Sequence, residues 1–520
     1  MLLGQTLHIF DMHNDERSLV PIEYEEFSAG DCSFYRLIDK YFNGERPESP
    51  IHRLFSLARR ENVKSVVVEK IECGLHAMQE NYDLKQAGLN VSEKSKSLYR
   101  ISFWDSENKS DESFIGYAIF KYGPILHNKE KWRVFESVFR KYKHKNNCVH
   151  SAVTFPVFII NKKYHIVGVL YAQQNGYNCC CAHVALRSLL ASYMLDKDIT
   201  YRTINRYAAY QFNKEGGCSK DSEGHCNKGL TNLQIASVLE KAEVPFRQYR
   251  SKSNTEEFQV LLHSGIESGS GVLLAINEYG EPHMGHAISL YGHTFNTDSW
   301  LAFGATQKEK RSYMQGSHML TSSYLMHDDN FGCNYCVPKS YVNDTLKGIA
   351  FVLLPKGYKT TGDWCLAKTQ IILMDLQKNQ KLIQNIAGNY WTKVCLTPKT
   401  HIFLRPIAIN RCDYISHVLS AVDGQKRKIE ISKFVMNKLL NLPEKLWMIE
   451  FFNYDLISGN NSKLGEALFS AINQNPTKCK LLRICGCFGF DFEEVKDLAL
   501  KIEDSIFSYI QVFSKDAIEE

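Results

Sequence analysis

Residues 173–186 read Gln-Gln-Asn-Gly-Tyr-Asn-Cys-Cys-Cys-Ala-His-Val-Ala-Leu, a polar loop that leads directly into an apolar segment. The apolar residues beyond the cysteines recur every three or four positions, which is typical of one buried helical face. These residues are Ala185, Leu186, Leu189, Leu190 and Tyr193. The pattern predicts a helix that begins at the cysteines and continues to Tyr193. Three adjacent thiols therefore stand where a polar loop meets a helix.

A thiol at a helix start has two chemical advantages. The helix N-terminus lowers the pKa of a cysteine, and the N–H groups of the first turn suit an oxyanion. Neighbouring residues differ by about 100° around a helix axis, so only one of the three thiols can face a given cleft. Cys181 continues the apolar face and is the predicted nucleophile, while Cys180 and Cys179 remain alternatives. His183 lies about 200° around the axis from Cys181, so we expect a packed or partly exposed histidine and not the base.

The predicted base for this thiol is a histidine at the start of a strand. Residues 285–292 read Gly-His-Ala-Ile-Ser-Leu-Tyr-Gly and alternate toward a core. A strand holds His286 rigidly, and the preceding glycine leaves clearance for a substrate. His283 and His293 are nearby competitors for the same role.

An orienting acid is expected at the end of the following strand. Residues 324–330 read Tyr-Leu-Met-His-Asp-Asp-Asn and bring Asp328 and Asp329 to that end. A carboxylate there fixes the tautomer of the histidine and stabilises its charged form. Because side chains alternate along a strand, we expect Asp328 to face His286 and Asp329 to face away.

The segments around these motifs predict an α+β fold. A hairpin is expected over 153–160 and 164–172, followed by helices over 199–211, from Thr231 onward and over 255–268. Strands are expected over 271–276, 286–292, 323–327 and 349–354. Because the helices come first and the strands follow, the class is α+β rather than alternating βαβ units.

Two flanking regions carry no motif that indicates chemistry. The chain is predicted to divide into an N-terminal mixed region over 1–150, a central core over 151–358 and a C-terminal α+β domain over 359–520. In the flanks, strands are expected over 115–120, 446–452 and 481–485, and helices over 130–143, 462–472 and 492–506.

Composition narrows the class of protein. The 520 residues include 62 Lys and Arg and 57 Asp and Glu, and the net charge of +5 is too weak to indicate a nucleic-acid partner. The N-terminal segment lacks the basic residues of a secretory signal, and no apolar run reaches the roughly 18 residues of a membrane span. The 16 cysteines are therefore expected to be reduced thiols of a cytoplasmic protein.

The cysteine, histidine and aspartate segments together resemble those of papain-like cysteine peptidases, closest to the bacteriocin-leader-peptidase and phytochelatin-synthase branch. There a glutamine before the cysteine donates to the oxyanion, a small residue follows the cysteine, and the order is Cys, His, then Asp or Asn. The resemblance spans residues 173–355 and implies a papain-like core, a helical subdomain with an antiparallel sheet. It implies catalytic roles for Cys181, His286, Asp328 and Gln174.

This sequence departs from the family pattern in three ways. Ala182 replaces the usual glycine after the cysteine. Gln174 precedes Cys181 by seven residues where six are common, and a six-residue spacing would instead pair Gln174 with Cys180 or Gln173 with Cys179. His286 and Asp328 are 42 residues apart, which requires an insertion to be looped out.

The resemblance implies a thiol hydrolase or acyltransferase that acts on amide, peptide or isopeptide bonds of a protein or peptide, without a cofactor or a metal. One alternative is an inactive papain-like core that binds a partner. Another is a metal-responsive or oxidation-sensing thiol protein, since three adjacent cysteines suit soft metals and oxidants. Five residues could together supply the four ligands of a structural zinc site, although their spacing is loose: Cys218, His225, Cys226, Cys333 and Cys336. The alternative is that these cysteines are free thiols.

Overall fold

The structure is a computed structural model of an α+β protein with helices and mainly antiparallel sheets. No helix in the described part of the chain is long and apolar enough to cross a membrane. The residues that the structure describes are 15–28, 34–44, 46, 49–125, 129–140, 147–194, 198–220, 226–227, 229–250, 256–277, 285–296, 314–344, 348–379, 401–420, 431–453, 457, 462–474, 476–484, 487–498, 500–502, 510–511 and 513.

Most of the N-terminal elements belong to one sheet and its covering helices. In chain order they are β1 (Glu23–Ser28), α1 (Phe34–Phe42), α2 (Pro50–Arg60), β2 (Ser65–Glu72), α3 (Leu75–Gln86), β3 (Ser97–Trp104), β4 (Phe114–Ile125), β5 (Lys129–Arg140), β6 (Asn147–Cys148), β7 (Val153–Ile159) and β8 (Lys162–Tyr171). Seven of these strands form an antiparallel sheet in the order β1-β2-β3-β4-β5-β8-β7. α1 and α2 bury their apolar residues against one face of this sheet.

The predicted hairpin before the cysteines is confirmed as β7 and β8. Its two-residue turn has positive φ at Ile160 (44°) and Asn161 (64°), the backbone form that matches the twist of paired strands. The predicted helix over 130–143 is wrong, because those residues largely form β5. The strand lies between β4 and β8, and its hydrogen bonds to both neighbours outweigh an apolar spacing that also fits a helix.

The central elements supply the second sheet and the helices that pack on it. In chain order they are α4 (Cys181–Tyr193), α5 (Tyr201–Ala208), β9 (Gln211–Asn213), β10 (Gly216–Lys220), β11 (Cys226–Asn227), α6 (Asn232–Lys241), β12 (Phe246–Arg250), α7 (Glu256–Glu267), β13 (Val272–Asn277), β14 (Gly285–Phe295), β15 (Met314–Gly316), β16 (Thr321–Asp328), β17 (Gly332–Pro338), α8 (Lys339–Asp344) and β18 (Gly348–Leu353).

The second sheet is antiparallel and has the order β12-β18-β13-β14-β16-β17, with β6 also paired to β14. The predicted central helices and strands are confirmed, although α5 ends before 211. α6 begins at the capping box in which the Thr231 hydroxyl accepts the Gln234 N–H and the Gln234 side chain accepts the Thr231 N–H. α4 packs on this sheet through Leu186 and Leu189.

The C-terminal elements supply most strands of the third sheet. In chain order they are α9 (Gly362–Lys378), β19 (Ile402–Asn410), α10 (Arg411–Leu419), α11 (Lys433–Leu440), β20 (Lys445–Phe452), β21 (Ser462–Lys463), β22 (Gly465–Ser470), β23 (Cys479–Ile484), β24 (Cys487–Phe492), β25 (Leu500–Ile502) and β26 (Ile510–Gln511). The strand order of the third sheet is β15-β19-β20-β22-β23-β24-β25, while β21 and β26 pair with each other.

Two helices predicted in this C-terminal region are wrong. Residues 462–472 contain β21 and β22, and every residue of β22 is buried between β20 and β23. The described part of 492–506 contains a short 3₁₀ helix (Val495–Asp497) and β25. The strands expected over 446–452 and 481–485 are confirmed as β20 and β23.

The sheets cross the boundaries proposed at residues 150 and 358. β7 and β8 follow residue 150 but belong to the first sheet. β15 lies in the central region but pairs in parallel with β19 in the third sheet. A buried ion pair between Glu267 of α7 and Arg405 of β19 also joins the central and C-terminal regions.

Candidate thiol and imidazole site

Three separate elements bring the predicted nucleophile, base and acid together. Cys181 is the first residue of α4, His286 is the second residue of β14, and Asp328 is the last residue of β16. α4 packs against β14, and β14 pairs with β16 in antiparallel register. The start of the helix therefore lies beside the sheet edge where β14 begins and β16 ends.

Hydrogen bonds hold the loop before α4 in place. The Gln173 N–H donates to the Val134 carbonyl at 2.9 Å, and the Gln173 side-chain oxygen accepts the Val134 N–H at 3.1 Å. Asn175 Oδ1 accepts the N–H groups of Tyr177 at 2.8 Å and Cys179 at 3.3 Å. The first bonds fix the loop to β5, and the second make a local turn that positions the cysteines at the helix start.

His286 lies between the thiol and the acid. Its Nε2 donates to Asp328 Oδ2 at 3.1 Å, and the Cys181 thiol lies close enough to the ring to shift its pKa. Burial alone would lower the pKa of His286, but these two contacts outweigh it and raise the pKa to about 11. Asp328 also accepts the backbone N–H groups of Asn330 and Phe331, and together with His286 they lower its pKa against the effect of burial.

Cys181 is the most accessible of the three adjacent thiols. It is partly exposed, whereas Cys180 is 3% exposed and Cys179 is fully buried. Contact with the Cys180 thiol and burial raise the pKa of Cys181 well above its usual value, while the contact with His286 acts in the opposite direction. Cys181 is therefore a protonated thiol at neutral pH, next to a protonated imidazole.

Both aspartates of the pair face His286. Asp329 Oδ1 lies 3.7 Å from His286 Nε2, only slightly farther than Asp328 Oδ2. The expectation that Asp329 faces away is wrong, because a register shift between Met326 and Asp328 interrupts the alternation where β16 ends. Asp329 is 3% exposed, and burial raises its pKa to about 7 although His286 opposes the shift.

Gln174 lies at the acid end of the site. Its Nε2 donates to Asn330 Oδ1 at 3.2 Å, and Asn330 directly follows the two aspartates. The amide that the family resemblance assigns to the oxyanion therefore has a partner in this conformation. It would have to leave Asn330 in order to donate to a substrate oxygen.

A second thiol and imidazole pair lies beside the first. The Cys180 thiol donates to His183 Nδ1 at 2.8 Å, and His183 Nε2 donates to Asn205 Oδ1 at 2.6 Å. The tautomer follows from the Cys180 N–H, which also donates to Nδ1 at 3.3 Å. Asn205 in turn donates to the Asn178 carbonyl at 2.9 Å. The (i, i+3) spacing of Cys180 and His183 was the available signal for this pair.

The two pairs differ in the basicity of their histidines. His183 is fully buried, and burial lowers its pKa to about 4. An imidazole of that pKa retains a proton poorly, so it is a weak acceptor for the Cys180 proton. The Cys180 pair therefore caps the start of α4, whereas the Cys181 pair contains the more basic imidazole.

Of the two other candidate histidines, the structure describes His293, which lies away from this site. His293 is fully buried, and its Nε2 donates to Glu267 Oε1 at 3.0 Å in a cluster that also contains His263 and Arg405. His283 lies outside the described residues.

The candidate zinc cysteines of the Cys-x-x-Cys motif do not converge. Cys333 and Cys336 lie three residues apart on β17, so they point to opposite faces. Cys333 is buried in the core of the first sheet, whereas Cys336 is exposed. The side chains of Cys218, His225 and Cys226 lie outside the described residues.

Comparison with known proteins found no family model and no curated protein that matches this sequence.

Proposed function

We propose that the protein is a thiol-dependent hydrolase or acyltransferase with a papain-like core, which acts on amide or isopeptide bonds of a protein or peptide. The observation that carries the proposal is the convergence of Cys181, His286 and Asp328 from three separate elements. The helix start, the imidazole and the orienting carboxylate are the parts that acyl transfer through a thiol requires. The proposed setting is the cytoplasm, where thiols stay reduced.

In the proposed reaction the Cys181 thiol first gives its proton to solvent water, because His286 already carries one, and the thiolate attacks the substrate carbonyl carbon. The carbon–sulfur bond forms as the carbonyl π electrons move to oxygen, and N–H groups at the start of α4 receive that oxyanion. The tetrahedral centre collapses, the carbon–nitrogen bond breaks, and the His286 imidazolium donates its proton to the leaving amine. A thioester remains on Cys181.

The second half of the reaction releases the acyl group. His286, now neutral, accepts the proton of an attacking water or amine, and the carbon–sulfur bond breaks. Water gives a carboxylic acid, and an amine gives a new amide. Asp328 orients the ring and stabilises its charged form in both halves.

The test is cleavage of a mixed peptide library by the purified full-length chain, with new termini identified by mass spectrometry. Cys181→Ala should abolish cleavage, whereas Cys180→Ala, the matched control one residue away, should retain it. An iodoacetamide adduct should map to Cys181. The proposal fails if Cys181→Ala cleaves as the wild type does, or if iodoacetamide modifies Cys180 and leaves Cys181 intact.

A second candidate function is binding without catalysis on the same core. The raised pKa of Cys181 and the engagement of Gln174 with Asn330 favour it, because both describe a thiol that is not preactivated. Under this alternative, neither the wild type nor Cys181→Ala would cleave any library peptide.

A further inference from the structure

One ring nitrogen and two carboxylate groups converge at the base of the proposed site. His286, Asp328 and Asp329 each offer a ligand atom, and these atoms all lie within 4.8 Å of one another. Nitrogen and carboxylate oxygen together form a ligand set that divalent transition metals accept, zinc among them.

Asp329 has no hydrogen-bond partner of its own in this arrangement. Both of its carboxylate oxygens are buried without one, although the side chain is 3% exposed. A buried carboxylate of this kind is costly unless a cation or a donor satisfies it. The nearest group is His286 Nε2 at 3.7 Å, which already donates to Asp328. Both oxygens of Asp329 are therefore available as ligand atoms beside His286 and Asp328.

The separations suit a small tetrahedral ion. Zinc binds nitrogen and oxygen at roughly 2.0–2.2 Å, so two ligands of a tetrahedral site stand roughly 3.3–3.5 Å apart. The distances from His286 Nε2 are 3.1 Å to Asp328 and 3.7 Å to Asp329, one on each side of that value. The ligand atoms of Asp328 and Asp329 lie within 4.8 Å of each other, so the three groups surround one position.

The other group of metal-type side chains in the described residues is already satisfied. Glu267, which lies with His263 and His293, receives two hydrogen bonds of 3.0 Å from Arg405. A guanidinium occupies the place that a metal would take, so that cluster is a structural ion pair. Of the two groups, only the one with Asp329 contains a carboxylate whose oxygens accept no hydrogen bond.

We propose that His286, Asp328 and Asp329 bind one Zn²⁺ ion. The ion inhibits Cys181 because a zinc-bound imidazole cannot gain and lose the proton that the reaction of the thiol requires. Zinc would replace the proton on His286 Nε2, and a water would complete the tetrahedron. Zinc binding does not depend on the proposed function, whereas the inhibition rests on it.

The test uses the full-length protein, freed of metal by chelation, and Co²⁺ as a spectroscopic substitute for Zn²⁺. The wild type should bind one equivalent with the visible bands of four-coordinate Co²⁺, and Zn²⁺ should displace it. Asp329→Asn should weaken binding at least about tenfold, since one of three protein ligands is lost. Asp328→Asn removes a different ligand, and it should weaken Co²⁺ binding to the same extent. The test therefore still works if one of the two variants fails to fold.

Asp111→Asn is the matched control, because Asp111 forms a comparable pair with His165 at 3.0 Å on the surface. It should bind Co²⁺ as the wild type does. Absence of a bound equivalent in the wild type overturns the inference, and so does equal binding by Asp329→Asn and Asp111→Asn. Cys181→Ser should retain the metal. If the wild type binds the metal but cleaves no peptide, the metal site is supported and the proposed function is refuted. If the wild type cleaves peptides but binds no metal, only the metal site is refuted.

Discussion

Replacing Glu267 by glutamine tests what joins the central region to the C-terminal sheet. Glu267 is fully buried and accepts hydrogen bonds from Arg405 Nε and Nη2, His293 and His150, each at 3.0 Å. Glutamine keeps the shape but removes the charge and one acceptor oxygen. The Arg405 guanidinium then stays buried with only Glu450, at 3.2 Å, as a carboxylate partner.

The expected loss is about 3–5 kcal/mol in the free energy of unfolding, the range measured when one partner of a buried ion pair is removed. The control is Glu25→Gln, which breaks a surface pair with Lys40 at 2.6 Å whose side chains are both about half exposed. That change should cost less than about 1 kcal/mol. Urea unfolding followed by circular dichroism measures both. Equal small losses for the two variants would refute the assignment of Glu267 as the anchor between the regions.

Three further predictions concern the thiols and a buried acid. Cys181→Ala should remove peptide cleavage by at least roughly a thousandfold, while Cys179→Ala and Cys180→Ala should change the rate only modestly, as a cleavage assay would measure. Alkylation of Cys181 by iodoacetamide should accelerate by about tenfold per pH unit between pH 7 and 9. The reason is that the pKa of Cys181 is raised above that range while His286 stays protonated throughout it. An alkylation rate that does not change with pH would contradict this prediction. Burial raises the pKa of Glu16 to about 7, so its proton stabilises the folded state and the wild type loses stability as the pH rises through that value. Between pH 5.5 and pH 8 the free energy of unfolding of Glu16→Gln should therefore increase by about 2 kcal/mol relative to that of the wild type, as measured by urea unfolding at each pH.

Local patterns predicted the elements that carry the proposed site. The helix from Cys181 to Tyr193 and the strand that contains His286 each have a periodicity that depends on neighbouring residues alone. The order of the motifs along the chain then suggested which side chains could meet. None of this required knowledge of the sheets.

The features that the sequence did not predict depend on pairing between distant segments. Residues 130–143 and 462–472 have apolar spacings that fit either a helix or a buried strand, and their partners in the sheets decided the outcome. The orientation of Asp329 depends on a register shift between β16 and β17, which no residue type indicates. Cys180 and His183 could have been paired from their spacing, although the role of Asn205 depends on the packing of α5.

The Glu267–Arg405 pair has a consequence for biosynthesis. The two residues are 138 positions apart, so the carboxylate leaves the ribosome well before its guanidinium partner. At roughly 5–20 residues per second the delay is roughly 7–28 s. Once β15 has emerged, later in that interval, it lacks β19, its partner in the third sheet, and remains an open edge. A nascent chain halted between these residues should therefore bind chaperones, and release of the block should bury the edge as soon as β19 emerges.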